Sequence, residues 1–201
     1  MSEIKTVGVV GCGTMGAGIA IVCARAGFRT RVFDLRQDAL DRAREQTRVF
    51  LERSVKKGKL PPDAPGRILE GWQGTTELTD LADCDLVIEA VFEDLGAKHR
   101  IFEQLHAVCA PHAIFASNTS TISITEIAGG SGRSDRFVGM HFCLPAQLMK
   151  LVEMSPGLNT SEATFERAWA FCEALGQKPV RTQDSPGFIL NYFLIPFNND
   201  A

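Results

Sequence analysis

Short apolar runs alternate along the whole chain with longer segments in which apolar residues recur at helical spacing. Residues 7–10 form a valine-rich run, helical spacing follows as far as Gly27, and a second strand is predicted over Arg29–Phe33. In the later runs at 85–91 and 113–116, apolar residues occupy both odd-numbered and even-numbered positions. This pattern is typical of parallel strands that are covered on both faces. This alternation predicts an α/β fold with a doubly wound, mostly parallel sheet.

A pair of helices is predicted between the second strand and a short third strand near 75–78. The first is long and polar and ends at Gly58 and the prolines after it, and the second returns over about 64–70. The lysines at the tip, among them Lys57, have two interpretations. They form either a solvated last turn that complements the helix dipole, or a binding site for a substrate phosphate.

The last third of the chain predicts a strand over 136–140 that runs into His141 and a returning strand over 151–154. A helix over 161–175 and a strand over 179–181 come next. Residues 186–187 then open a final helix that is apolar nearly all round, which requires cover on several sides. We therefore expect the chain to be a piece of a larger protein or to depend on a partner surface that covers this helix.

The composition narrows the classes of function. The chain has 201 residues, 45% of them hydrophobic, and a net charge of −3, so neither nucleic acid nor an anionic membrane is an expected partner.

No signal pattern and no apolar run of roughly 20 residues appears, which predicts a cytoplasmic location. Six scattered cysteines indicate reduced, mostly buried thiols. His99, His106 and His112 lack metal-ligand spacing and are expected on helix surfaces, so no metal is predicted.

The most informative motif is Gly11-x-Gly13-x-x-Gly16, with Thr14 and Met15 between its last two glycines. It lies between a predicted strand and a predicted helix, where such a turn presents backbone amides to a pyrophosphate. Asp34 ends the second strand, at the position where an acidic residue accepts hydrogen bonds from ribose hydroxyls. The motif predicts a dinucleotide site; the alternative is a tight turn that binds no ligand.

Polar groups follow three later strands, at the edge of the sheet where ligands collect. Glu93 and Lys98 come after the fourth strand, residues 117–121 after the fifth, and His141 after the sixth. Ser120 is a functional candidate, whereas Thr121 and Ser123 are expected to cap the next helix. The returning strand could place Glu153 beside His141, as a proton-accepting histidine requires, although a structural histidine is equally compatible with this spacing.

Five motifs in order give the chain a family resemblance. Together with the glycine turn, residues 115–120, 139–142, 149–153 and 186–191 resemble the NAD-binding domain of the L-3-hydroxyacyl-CoA dehydrogenases over nearly the whole chain. The resemblance implies a Rossmann-type fold and reversible hydride transfer from a (3S)-3-hydroxyacyl-CoA to NAD+. It also implies an NAD-binding domain over 1–184 and, over 185–201, the first helix of a second, all-helical domain through which the full-length protein forms a homodimer.

The resemblance assigns roles by matching position. It implies that His141 is the general base for the 3-hydroxyl proton, with Glu153 as its orienting partner. Ser120 would hydrogen-bond the reacting oxygen near the nicotinamide, and Asn191 would help to position the substrate. The family's cofactor contacts match the glycine turn, Asp34, Glu93, Lys98 and Ser120, and its CoA-phosphate contact matches Lys57.

The chain departs from the family after the His-Phe pair, where Cys143 and Leu144 replace an aromatic residue and an asparagine. Leu144 cannot make the asparagine's hydrogen bond on the cofactor side, so we expect slower turnover of the same reaction. Arg36, two residues after Asp34, leaves some use of NADP open beside NAD. Two alternatives remain: a related dehydrogenase of a free hydroxy acid or polyol, and a non-catalytic NAD-binding protein.

Overall fold

The computed structural model describes residues 3–193, and within them helices cover both faces of one eight-stranded sheet. The strands are β1 (Thr6–Val10), β2 (Arg29–Phe33), β3 (Trp72–Thr75), β4 (Leu86–Glu89), β5 (Ile114–Ser117), β6 (Phe137–Phe142), β7 (Leu151–Pro156) and β8 (Lys178–Arg181). The helices are α1 (Thr14–Arg25), α2 (Gln37–Lys56), α3 (Ala64–Gly71), α4 (Leu95–Val108), α5 (Ile124–Gly129) and α6 (Glu162–Ala174), with two 3₁₀ turns at Leu78–Leu81 and Ser134–Arg136.

The sheet is doubly wound and mostly parallel, which confirms the predicted fold class. Its strand order is β3-β2-β1-β4-β5-β6-β7-β8, and only β6 and β7 pair antiparallel. The chain runs from β1 to β2, passes through the helical pair α2 and α3 to β3, and returns over the first 3₁₀ turn to add β4 on the other side of β1. The carboxyl ends of β1 and β4 therefore border a topological switch point, where ligands of such sheets bind.

Two apolar cores, one on each face of the sheet, hold the strand ends in place. One packs α1 and α6 against the sheet and includes Val9, Ile19 and Phe171, and the other packs α4 and α5 and includes Phe102 and Phe137. The Phe102 and Phe137 rings meet edge to face, with centroids 4.7 Å apart. Interiors packed in this way are rigid, so the loops beyond the strands start from fixed positions.

Two predicted positions are wrong. The third strand is β3, three residues earlier than the predicted 75–78, because Trp72 is buried and pairs with Thr30 of β2. The apolar signal at Leu78 belongs instead to a 3₁₀ turn. His112 lies in a turn after α4 rather than on a helix, and its Nε2 lies 3.4 Å from a carboxylate oxygen of Asp85.

The final helix is described only at its start. Residues 190–193 are helical, and the rest of the predicted helix lies outside the described residues. In this part of the chain Phe188 is buried, whereas Tyr192 and Phe193 are 66% and 67% exposed. Large aromatic side chains exposed side by side form an apolar surface of the kind that packs against another element.

Candidate active site

The glycine turn after β1 is built as the sequence predicts. Gly11 has φ +86°, a conformation that favours glycine, and a Cβ there would lie 2.9 Å from the carbonyl oxygen of Ala90. A Cβ on Gly16 would overlap the carbonyl oxygen of Gly11. The first turn of α1 therefore sits directly on the loop, and the close contact of Gly16 is with the turn itself rather than with the strand.

Gly13 faces open space. A Cβ at this position would have no heavy atom within 4 Å, and Gly13 is the N-cap of α1 without any side chain that accepts from the helix amides. The first turn of α1 also contains no acidic residue. Free amides and the positive end of a helix dipole attract an anion, so this end of α1 fits the pyrophosphate of a dinucleotide.

Replacing Gly13 by alanine should weaken NADH binding at least about tenfold, because the added methyl group would occupy the space through which the pyrophosphate reaches the amides. The free energy of unfolding should change by less than about 1 kcal/mol, since nothing in the fold lies within 4 Å. NADH fluorescence titration and urea denaturation measure the two effects. The matched control is Gly66→Ala, another site with open space, for which NADH affinity should be unchanged.

Asp34 stands at the carboxyl end of β2 and is already oriented by its neighbours. Its Oδ2 accepts from the backbone amide of Cys12 at 3.0 Å and from the Cys12 thiol at 3.2 Å. Its Oδ1 accepts from the Arg36 amide at 3.1 Å. These contacts fix the carboxylate beside the glycine turn, where the ribose of a dinucleotide would lie.

A cleft of about 1510 Å³ joins these parts. It starts at the glycine turn and Asp34, passes Glu93 and reaches Ser120. A second arm runs along α2 as far as Arg53, one turn before Lys57, which is exposed at the end of that helix. The volume exceeds that of ordinary small-ligand pockets, which hold roughly 300–1,000 Å³.

His141 lies between Ser120 and Glu153. The two strands that carry His141 and Glu153 are antiparallel neighbours, and their register places these residues directly opposite each other. His141 Nδ1 lies 2.7 Å from Glu153 Oε2, and His141 Nε2 lies 3.1 Å from Ser120 Oγ. The ionised Glu153 carboxylate can only accept hydrogen bonds, so Nδ1 of His141 donates its hydrogen to it. Nε2 of His141 therefore keeps a lone pair that can accept a proton.

The other oxygen of Glu153 holds the start of the final helix. Glu153 Oε1 accepts from the amides of Ile189 and Leu190, at 2.9 and 2.8 Å. Asn191 lies in the same helical turn, next to these amides. The structure thus brings Ser120, His141 and Glu153 into one hydrogen-bonded chain and places Asn191 on the segment attached to it.

Lys98 lies behind the cleft rather than in it. Its side chain is 1% exposed, and its Nζ lies 2.7 Å from Glu89 Oε1 and 3.2 Å from Glu93 Oε2. Glu89 is fully buried and also accepts from Ser117 Oγ at 2.6 Å. Glu93, in turn, accepts from the Ser120 amide at 2.8 Å. These charges fix the loop that carries Ser120, and Lys98 acts on the cleft through Glu93.

The pKa of Glu93 records this environment. Partial burial alone would raise the pKa, but the Thr119 hydroxyl, the Lys98 charge and the amides of Thr121 and Ser120 lower it from 4.5 to about 2. All of these donors favour the charged carboxylate.

Glu93 should make the native state sensitive to acid. A folded pKa below the unfolded value means that its contribution to stability is complete above about pH 4.5 and is lost as the pH falls through about 2. Urea denaturation between pH 6 and pH 2.5 should show a smaller loss of stability for Glu93→Gln than for the unchanged chain. Glu77→Gln, on an exposed residue, is the control and should keep the original slope. Parallel slopes for the chain and Glu93→Gln would contradict the assignment.

Two further groups near the site have structural roles. Ser123 caps α5 by accepting from the Glu126 amide, as predicted. Asp184, the last residue of the predicted first domain, accepts from the amides of Ile124 and Thr125 at the start of α5, at 2.7 and 2.8 Å. The segment before the final helix is thereby attached to the loop after β5.

All six cysteines are free and buried, as predicted. Leu144 is 63% exposed on the loop between β6 and β7. Within residues 3–193 no group of three histidine, cysteine or acidic side chains is arranged to hold a metal ion. None of the helices described in that range combines the length and the apolarity needed to cross a bilayer.

Three features together define a nucleotide-dependent dehydrogenase. They are the doubly wound sheet, the glycine turn beside an acidic strand end, and the Glu-His-Ser chain at the same edge of the sheet. A sequence model described as "3-hydroxyacyl-CoA dehydrogenase, NAD binding domain" matches residues 6–185. The chain therefore belongs to the 3-hydroxyacyl-CoA dehydrogenase family, and NAD is the cofactor of the domain.

Named relatives and solved structures agree with this assignment. The chain is 45% identical to a probable 3-hydroxybutyryl-CoA dehydrogenase of Deinococcus radiodurans, over 96% of this chain and 69% of the relative. It is 41% identical to the mitochondrial hydroxyacyl-coenzyme A dehydrogenase of Rattus norvegicus, over 98% and 65%. The crystal structure of (S)-3-hydroxybutyryl-CoA dehydrogenase from Ralstonia eutropha superposes with a TM-score of 0.96 at 40% identity, covering 98% of this chain and 70% of that one.

Proposed function

We propose that the chain carries the cofactor half of an enzyme that interconverts (3S)-3-hydroxyacyl-CoA and 3-ketoacyl-CoA with NAD+ and NADH. The hydrogen-bonded chain Glu153–His141–Ser120 beside the glycine turn is the observation that carries this proposal. The nicotinamide of bound NAD+ supplies the hydride acceptor.

In this proposal the protein's own groups handle the proton and the reacting oxygen. His141 Nε2 takes the proton of the 3-hydroxyl group, and Glu153 holds the imidazole and stabilises its charged form. Ser120 Oγ donates to the same oxygen, which keeps it near Nε2. Asn191 positions the substrate from the first turn of the final helix. In the reverse direction, His141 returns the proton to the 3-keto oxygen.

The proposal also assigns the two ends of the cleft. The glycine turn, with Thr14 and Met15, binds the pyrophosphate, Asp34 binds the ribose, and Glu93 contacts the cofactor with Lys98 behind it. The arm along α2 receives the CoA moiety, and Lys57 meets its phosphates just beyond Arg53. This arm supports a thioester substrate, because the lining of the cleft continues along α2 from Ala39 as far as Arg53.

We further propose that this enzyme acts in the cytoplasm. We also propose that the exposed side chains of Tyr192 and Phe193 contact a second, helical domain. In the full-length protein that domain would cover the acyl-CoA site and form a homodimer. The relatives named above are longer than the part this chain matches, which supports a further domain.

The test follows NADH oxidation with acetoacetyl-CoA, with NADH binding measured by fluorescence in the same sample and NADPH as the comparison. Turnover with NADH and the thioester supports the proposal. Turnover only with free hydroxy acids or polyols would favour a related dehydrogenase. NADH binding without turnover, in a full-length protein that includes the second domain, would favour a non-catalytic role. Failure to bind NADH would contradict the assignment of the glycine turn.

A further inference from the structure

Cys12 is the residue between the first two glycines of the turn, and its side chain makes a specific contact. The residue is 7% exposed and borders the cleft. Its thiol Sγ lies 3.2 Å from Asp34 Oδ2, and its own backbone amide donates to the same oxygen at 3.0 Å. One residue of the phosphate-binding turn thus holds one oxygen of the ribose-binding carboxylate with two donors.

The hydrogen bonds of Asp34 leave little free capacity. A carboxylate offers about four accepting positions, two on each oxygen. Cys12 takes both positions on Oδ2, and the Arg36 amide takes one on Oδ1 at 3.1 Å. One position, on Oδ1, remains for a ligand.

We propose that Cys12 is a positioning residue for cofactor selection: its thiol holds the Asp34 carboxylate in the orientation that offers Oδ1 to the adenosine ribose of NAD(H). The inference rests on the proposed function, since it concerns the same cofactor site. A carboxylate held by its neighbours loses less conformational freedom on binding than one that must be ordered by the ligand. A carboxylate held in this place also keeps its charge where the 2′-phosphate of NADPH would lie.

The thiol has the protonation state that this role needs. Burial, followed by the hydrogen bond to Asp34 and the charge of Asp34, raises the pKa of the Cys12 thiol to about 12. At neutral pH the group is therefore a stable S–H donor rather than a reactive thiolate. An alanine would remove this donor while leaving the backbone amide of residue 12 in place.

The test compares Cys12→Ala and Cys12→Ser with the unchanged chain. The alanine variant should raise the Kd for NADH about threefold to tenfold, the loss expected for one weak donor to a charged acceptor. The Kd for NADPH should rise less or fall, so discrimination between the two cofactors decreases. Where turnover is measurable, KM for NADH should rise more than kcat falls. The serine variant restores an O–H donor and should recover most of the affinity for NADH.

Cys84→Ala is the matched control, because Cys84 is a fully buried thiol just before β4, at the opposite end of the strand from the cleft. It should alter stability without altering the NADH to NADPH ratio. The infrared S–H stretching band of Cys12, taken as the difference from Cys12→Ala, should shift when Asp34 is replaced by alanine. This measurement reads the hydrogen bond without any cofactor.

The inference would be overturned if the ratio of the Kd values for NADH and NADPH were unchanged in Cys12→Ala. It would also be overturned if the S–H band did not shift in Asp34→Ala. A serine variant as weak as the alanine variant would also overturn it, because packing rather than hydrogen bonding would then explain the loss. If the unchanged chain itself fails to bind NADH, the proposed function fails and the inference fails with it. Normal NADH binding by the unchanged chain separates the two cases.

Discussion

Replacing His141 by glutamine should lower kcat for acetoacetyl-CoA reduction by about 10²–10⁴-fold, the range that general acid–base groups contribute. Glutamine fills similar space and can still hydrogen-bond, but it cannot take up and return a proton at the position of Nε2. NADH affinity should stay within about twofold, because His141 is separated from the glycine turn and Asp34 and does not border the dinucleotide cleft. Steady-state rates and NADH fluorescence titration measure the two quantities.

His112→Gln is the matched control for this experiment. His112 is an exposed histidine in the turn before β5, so the same chemical change there should leave kcat unaltered. Retention of more than about a tenth of kcat in His141→Gln would show that another group moves the proton. A large loss of NADH affinity would instead show that the imidazole belongs to the cofactor site.

Replacing Lys98 by methionine should lower the free energy of unfolding by about 3–5 kcal/mol, the usual cost of leaving a buried charge without its partner. Lys98 lies between the carboxylates of Glu89 and Glu93, and two of these three side chains are almost completely buried. Methionine fills the volume but leaves two negative groups facing each other. For a chain of this size the midpoint of thermal unfolding should fall by about 2–4 °C per kcal/mol.

Urea denaturation with Lys59→Met as the control checks the prediction, because Lys59 is exposed beyond α2 and its loss should cost less than about 0.5 kcal/mol. Adding Glu89→Gln to Lys98→Met should recover part of the stability, since it removes the most deeply buried charge. A double variant less stable than Lys98→Met alone would show that packing, rather than charge, holds this region together. The single variant should also lower kcat, because Glu93 holds the Ser120 amide.

The sequence predicted best what short-range patterns determine. The glycine turn has a strong local signature, because a positive φ at Gly11 and a close contact at Gly16 require glycine whatever the rest of the fold does. The pairing of His141 with Glu153 was also within reach. Two strands joined by a short loop form an antiparallel pair, and their length allowed these residues to meet in register.

The parts that escaped prediction depend on contacts between distant segments. Glu89 sits in an apolar run and looks like an ordinary end of a buried strand, yet it is the inner member of a charge cluster whose other members lie on α4 and its preceding loop. Lys98 matched a cofactor contact by position, and only the fold shows that its charge is used by carboxylates. The third strand lies earlier in the chain than the sequence predicts. Burial of the Trp72 indole ring, rather than local propensity, decides where β3 pairs.

The two oxygens of Glu153 bind two different parts of the structure. One orients the imidazole of His141, and the other receives the amides of Ile189 and Leu190, just after the left-handed residues Gly187 and Phe188, with φ of +81° and +47°. The Glu153 carboxylate therefore connects the start of the final helix to the imidazole that we propose as the catalytic base. The orientation of the imidazole and the position of the first turn of the final helix depend on the same side chain.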